Sequence, residues 1–150
     1  MEDRLNDAEM ELWHLWKQAA EAIRARVADD VSAATGLSDP DFGVLTRVAE
    51  LGHGLLRQNE LASSMGWHRS RLSHHLTRME QRALVTRRPT EGGVEVLITD
   101  QGRAAVAKAR PLHAAAVRRH LLDQVPRESL SALRDVLARL ASRSRATPFD

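Results

Sequence analysis

The sequence predicts a mainly α-helical chain with one small β-hairpin wing: a winged helix-turn-helix whose flanking helices form a dimerisation region. Three observations predict it. Two short helical patterns meet at Gly66-Trp67-His68. A basic strand, a Gly-Gly turn and a second strand follow between Val85 and Ile98. Long amphipathic helices stand on both sides of this block. The expected division is one domain over 1–150, with the winged core at 38–102 and the helical dimerisation region at 1–36 and 103–145.

The first helix is expected from about Asn6 to Thr35. Leu5, Leu12, Trp16, Ala19, Ala20, Ile23, Val27 and Val31 mark one apolar stripe, and Gly36 suits its stop. Such a stripe is too long to be covered within one small domain, so part of it is expected against a partner chain. Ser38-Asp39-Pro40-Asp41 is a helix start: Ser38 can cap, Pro40 suits the first turn and Asp41 favours the dipole. Phe42, Val44, Leu45, Val48, Ala49 and Leu51 follow, and Gly52-His53-Gly54 breaks the helix.

The helix-turn-helix begins near Gln58 or Asn59, either of which can cap. Leu61, Ala62 and Met65 recur at helical spacing, Gly66 ends the helix, and Trp67-His68 turns the chain. The second helix spans about Arg69 to Arg82. Leu72, His75, Leu76 and Met79 share the face to be buried. Opposite lie Arg69, Ser70, Ser73, His74, Thr77 and Arg78, with Arg71 at the margin. These side chains are donors or small, which suits entry into a DNA major groove. The charge pattern agrees. From Arg57 to Arg88 there are seven arginines against two glutamates, whereas the whole chain is only +2. Positive charge concentrated on one module is the footprint of phosphate binding.

Val85-Thr86-Arg87-Arg88 reads as a strand, Pro89 to Gly93 as a turn and Val94 to Ile98 as the return strand, with Val94, Val96 and Ile98 on its buried face. Thr99 caps a helix expected over Asp100–Leu122, with a kink near Lys108–Ala109 because Pro111 lies inside it. Val125-Pro126 opens a last helix striped by Leu130, Leu133, Val136, Leu137 and Leu140; Ser142 to Asp150 is polar and expected to fray. The first and last two helices each carry an apolar stripe, and a symmetric interface between two chains buries all three.

At Leu55-Leu56-Arg57-Gln58-Asn59-Glu60-Leu61-Ala62, Ser70 to Glu80, Ala83-Leu84-Val85 and Ile98-Thr99-Asp100-Gln101-Gly102, the chain resembles the multiple-antibiotic-resistance regulator (MarR) family of bacterial winged-helix transcription factors. The ordered set carries the likeness rather than any one tetrapeptide, and the flanking helices extend it over most of the chain. The resemblance implies a homodimer, a DNA site and a small aromatic or lipophilic effector held between the dimer region and the winged helix. Many members place an Asp-x-Arg in the wing, whose arginine enters the minor groove. Here a gap-free alignment puts Thr90-Glu91-Gly92 at those positions, or else the hairpin is shortened. Either way the tip is acidic.

The expected DNA contacts are therefore Arg69, Ser70, Arg71, Ser73 and His74 at the bases, with Gln58, Ser64, Thr77, Arg78, Arg87 and Arg88 positioning phosphates. Trp13 and Trp16, three apart on one helix edge, are expected in the core or dimer interface, or as a wall of the effector pocket. The overall reading is a ligand-responsive repressor acting as a homodimer on a near-palindromic operator. Two rivals remain open: a winged-helix protein-interaction adaptor, favoured by the acidic wing tip, and a metal-responsive regulator using the scattered His14, His53, His113 and His120.

Other classes lack their signatures. The chain has no cysteine, which excludes disulfides, thiolate metal sites and thiol redox sensing. There is no Gly-rich phosphate loop and no His-Glu-x-x-His, so no enzyme activity, cofactor or metal is expected. His74 and His75 diverge by about 100° on a helix and do not share an ion easily. Lacking a signal peptide or a long apolar run, the protein is expected to be cytoplasmic, bacterial and nucleoid-associated when DNA-bound, with no membrane partner.

Overall fold

The computed structural model describes residues 3–142. Six α-helices and a three-stranded antiparallel sheet follow one another as α1 (Asp7–Thr35), α2 (Asp39–Glu50), β1 (Leu55–Arg57), α3 (Gln58–Met65), α4 (Arg69–Gln81), β2 (Val85–Thr90), β3 (Gly93–Ile98), α5 (Asp100–His120) and α6 (Leu130–Ser142). The mainly α class with a hairpin wing is the class expected. The expected fraying of Ser142 to Asp150 lies, beyond Ser142, outside the described residues.

Caps set most of the boundaries. Asn6 accepts the Glu9 backbone N–H while Glu9 accepts that of Asn6, each at 2.9 Å, a reciprocal box that starts α1. Ser38 and Asp41 form the same box for α2. Gly66 stops α3 with φ 65°, a conformation costly for any residue with a Cβ. Thr99 caps α5 by accepting the Gly102 N–H at 2.9 Å.

Several boundaries differ from expectation. Neither Gln58 nor Asn59 caps α3; the cap residue is Arg57, which makes no side-chain cap bond. Its place is fixed instead by β1, a three-residue strand too short to show a period in the sequence. Leu55, Leu56 and Arg57 pair with Leu97, Val96 and Glu95, giving the sheet order β1-β3-β2. The wing strands run further than expected, through Thr90 and from Gly93, so the tip is only Glu91-Gly92. Val94, assigned to the buried face, is exposed at this end of the ribbon. Helix α5 passes through Pro111 without a break and ends at His120, short of Leu122. A 3-10 turn at Arg127–Ser129 precedes α6, which starts at Leu130 rather than Val125-Pro126.

The core lies inside the winged-helix block. Val44, Leu45 and Val48 of α2, Leu61 of α3, Leu72, Leu76 and Met79 of α4, and Val85 and Val96 of the sheet are fully buried. Gly102 lets α5 approach the start of β2: an added Cβ would stand 2.2 Å from the Leu84 carbonyl oxygen. In α1 only Val27 and Val31 are buried. Its N-terminal half leaves Leu12, Trp13, Leu15 and Trp16 exposed, as is Leu5 just before it, and α6 likewise leaves Val136 and Leu140 exposed. All of these but Leu15 line, with Leu133 and Leu137, an apolar groove of about 550 Å³. No helix among the described residues is long and apolar enough to cross a membrane.

Candidate nucleic-acid interface

Helix α4 has the two faces that its spacing predicts. Leu72, His75, Leu76 and Met79 are buried, while Arg69, Ser70, Arg71, His74, Thr77 and Arg78 are exposed and Ser73 is partly buried. The outward face is therefore available to a groove. Arg71 does not extend freely. Its guanidinium stacks 3.8 Å from the centroid of the Trp67 ring, a cation–π contact that shapes the arginine without neutralising it.

A buried network holds the inner face. Asp41 is only 2% exposed. Arg82 Nη1 donates to its Oδ2 at 2.6 Å, and Arg82 Nη2 donates to the Gly36 carbonyl at 3.0 Å. His75 Nε2 lies 3.0 Å from Asp41 Oδ1, although no well-aligned hydrogen bond joins them. Arg78 Nη2 lies 3.1 Å from His75 Nδ1. Because arginine only donates, Nδ1 must accept, which leaves the ring proton on Nε2 facing the carboxylate. Burial lowers the His75 pKa and the Arg78 and Arg82 charges push the same way; the Asp41 charge offsets only part of this. For Asp41, burial would raise the pKa. The Arg82 hydrogen bond, the Ser38 N–H, the Arg82 charge and the Ser38 hydroxyl outweigh it, so its carboxyl stays below the ordinary range.

The groups expected at phosphates are less free than the sequence suggests. Ser64 Oγ donates to the Leu61 carbonyl at 2.9 Å, and Thr77 Oγ1 donates to the Ser73 carbonyl at 3.0 Å. A hydroxyl has one donor and a phosphate ester offers only acceptors, so both hydroxyls are already committed. Arg87 is tied to Glu80 and Arg88 to Glu95, the latter at 2.8 Å. Gln58 opens α3 partly buried, with its Oε1 enclosed and unpaired. Ser70 Oγ lies 3.2 Å from His68 Nδ1. Arg69, Arg71, His74 and Arg78 are thus the exposed cationic or titratable groups on the outward face.

Trp13 and Trp16 are about half exposed, and the groove they share with α6 includes no residue of the winged core. A separate cleft of about 470 Å³ does lie between the helical region and that core. Arg24, Phe42, Arg47, Trp67, Arg71 and His113 line it, and the Phe42 and His113 rings stand 4.8 Å apart. Sequence reading missed this cleft, and also Asp41, Glu80 and Glu95 as the partners of Arg82, Arg87 and Arg88. The capping pattern marked Asp41, but nothing local joined it to Arg82, 41 residues on. Among the described residues, no three His, Asp or Glu side chains gather as a metal site.

Comparison with known proteins gives the same picture. A family model described as MarR family matches residues 35–93. No curated protein sequence matches at a significant level. Among solved structures, AbsC, a MarR family transcriptional regulator from Streptomyces coelicolor, is 30% identical with a TM-score of 0.87, over 97% of this chain and 100% of its own. Sco3205, a MarR family transcriptional regulator from the same organism solved in complex with DNA, is 25% identical with a TM-score of 0.88, over 98% of this chain and 94% of its own. The organohalide-sensing RdhR-CbdbA1625 transcriptional regulator, in its 2,4-dichlorophenol-bound form, shares the fold at 18% identity and a TM-score of 0.78, over 99% of this chain and 96% of its own. With its winged core, its outward-facing α4 and this full-length likeness, the chain belongs to the MarR family of DNA-binding transcriptional regulators.

Proposed function

We infer that this protein is a ligand-responsive repressor that binds a near-palindromic operator as a homodimer. The observation that carries the reading is α4. Its apolar stripe is sealed in the core, and its arginine-bearing face is turned to solvent. Arg69, Ser70, Arg71, Ser73 and His74 are assigned to the bases, and Arg78 to phosphates, with Arg88 available if it leaves Glu95. The exposed apolar residues of α1 and α6 support the homodimer, since a second copy of the same face would cover them.

The cleft supports the response to ligand. Three arginines and the Phe42, Trp67 and His113 rings suit a small aromatic acid or phenolate. Arg71 lines this cleft and also stands on α4, so an anion there would draw it off DNA. A comparable structure holding 2,4-dichlorophenol agrees with that chemistry. The test is a fluorescence titration with benzoates and phenols, run alongside DNA release. We expect quenching that Trp67→Phe abolishes, and DNA release at the same ligand concentrations. Quenching that survives Trp67→Phe but not Trp16→Phe would return the effector to the Trp13–Trp16 groove. Silence across the panel would contradict ligand response.

A further inference from the structure

Arg87 stands on β2, but its side chain lies back across α4. Nε donates to Glu80 Oε1 at 2.7 Å, and Nη2 donates to Thr77 Oγ1 at 2.8 Å. Nη1 reaches the carbonyl and the hydroxyl of Ser73, each at 3.4 Å. Glu80 Oε2 also accepts the Arg87 backbone N–H at 3.3 Å. One carboxylate therefore grips both the main chain and the side chain of one residue, and all three guanidinium nitrogens have partners. The side chains are 21% exposed for Arg87 and 33% for Glu80, so solvent screens the pair less than it would on an open surface.

A DNA phosphate approaching Arg87 would have to displace a carboxylate already in place. It would also leave the Glu80 anion unpaired beside a polyanion, a like-charge contact that opposes the exchange. We propose that Arg87 is a positioning residue for DNA recognition rather than a phosphate ligand, and that Glu80 is the residue that holds it in that role. The pair zips the base of the wing onto α4 and fixes the angle between them. It also sets the Thr77 and Ser73 side chains on the groove-facing side of the helix. The proposal rests on α4 being the helix that reads DNA.

The test is the salt dependence of binding by the full chain to a pool-selected duplex and to a scrambled duplex of equal length. Each phosphate neutralised contributes about 0.9 to the slope of log K against log salt, so two lost contacts in a dimer flatten it by about 1.8. For Arg87→Gln we expect an unchanged slope and a fall of about tenfold in the preference for the selected duplex. A slope flattened by about 1.8, or an unchanged preference, overturns the proposal. Glu80→Gln removes the anion and leaves the arginine, so we expect a steeper slope and tighter binding to scrambled DNA; an unchanged slope overturns the proposal. If Arg87→Gln does not fold to a native dimer, the Glu80→Gln arm decides alone. Unsubstituted protein that prefers no duplex overturns the reading of α4 together with this proposal. Unsubstituted protein that discriminates, while Arg87→Gln flattens the slope, overturns the proposal only.

Discussion

Arg71 and Arg78 sit two turns apart in character though on one helix. Arg71 is braced by an aromatic ring and lines the cleft; Arg78 leans on His75 and faces outward. A braced guanidinium is suited to a fixed bidentate contact with a guanine edge, worth about 1–3 kcal/mol of discrimination. Arg71→Ala should therefore relax sequence preference by roughly tenfold or more, with little change in affinity for scrambled DNA. Arg78→Ala should weaken binding to all sequences alike and flatten the salt slope. Anisotropy titrations on matched and scrambled duplexes separate the two, and the reverse pattern would exchange their roles.

His75 and Asp41 make the same residue scale visible through pH. Both pKa values are lowered in the folded state. The folded protein thus binds fewer protons than the unfolded chain at each site, and stability rises with pH across each window. The His75 contribution is full above about pH 6.5 and is lost as pH falls toward its lowered pKa. That of Asp41 is full above about pH 3.9 and is lost below it. Thermal melts should show a lower Tm at about pH 5 than at neutrality, and His75→Gln should remove most of that difference. An equal drop in both proteins would contradict the assignment to His75.

Elements differ in how much of them the sequence reveals. Helix α4 was legible on both faces because four buried residues at helical spacing leave the remainder outward. Strand β1 was not, since Leu55-Leu56-Arg57 becomes a strand only through its register with β3. The Arg88–Glu95 pair was hidden for a related reason: the two residues are direct cross-strand partners, and the sequence placed the turn over Pro89–Gly93. Helix α1 showed its stripe, but not that burial within the chain stops at Val27 and Val31. The exposed half predicts an outcome. Leu12 is 70% exposed and outside the winged core, so Leu12→Glu should leave the fold intact. It should place a charge in the proposed homodimer face and shift the protein to monomer, with a large loss of DNA affinity. Sedimentation and far-ultraviolet circular dichroism check this; an unchanged dimer would place the interface elsewhere.

At the scale of the whole molecule, the buried cluster of the winged block reaches Val31 of α1 and Val106 and Ala109 of α5, and the start of α1 and the outer face of α6 are the parts that lack cover. Asp41 and Arg82 couple the two regions, because Arg82 also holds the Gly36 carbonyl at the end of α1. The orientation of α4 is thereby referred to the helix that carries the proposed dimer face. That coupling spans 46 residues and four elements, so no local pattern could have shown it. Two such units related by a two-fold axis would present their α4 helices about one DNA turn apart. Selection of bound duplexes from a random pool tests this most directly. The account predicts an enriched near-palindrome whose half-sites are centred about 10 base pairs apart, or a multiple of one turn. A lone half-site, or no enrichment at all, would contradict it.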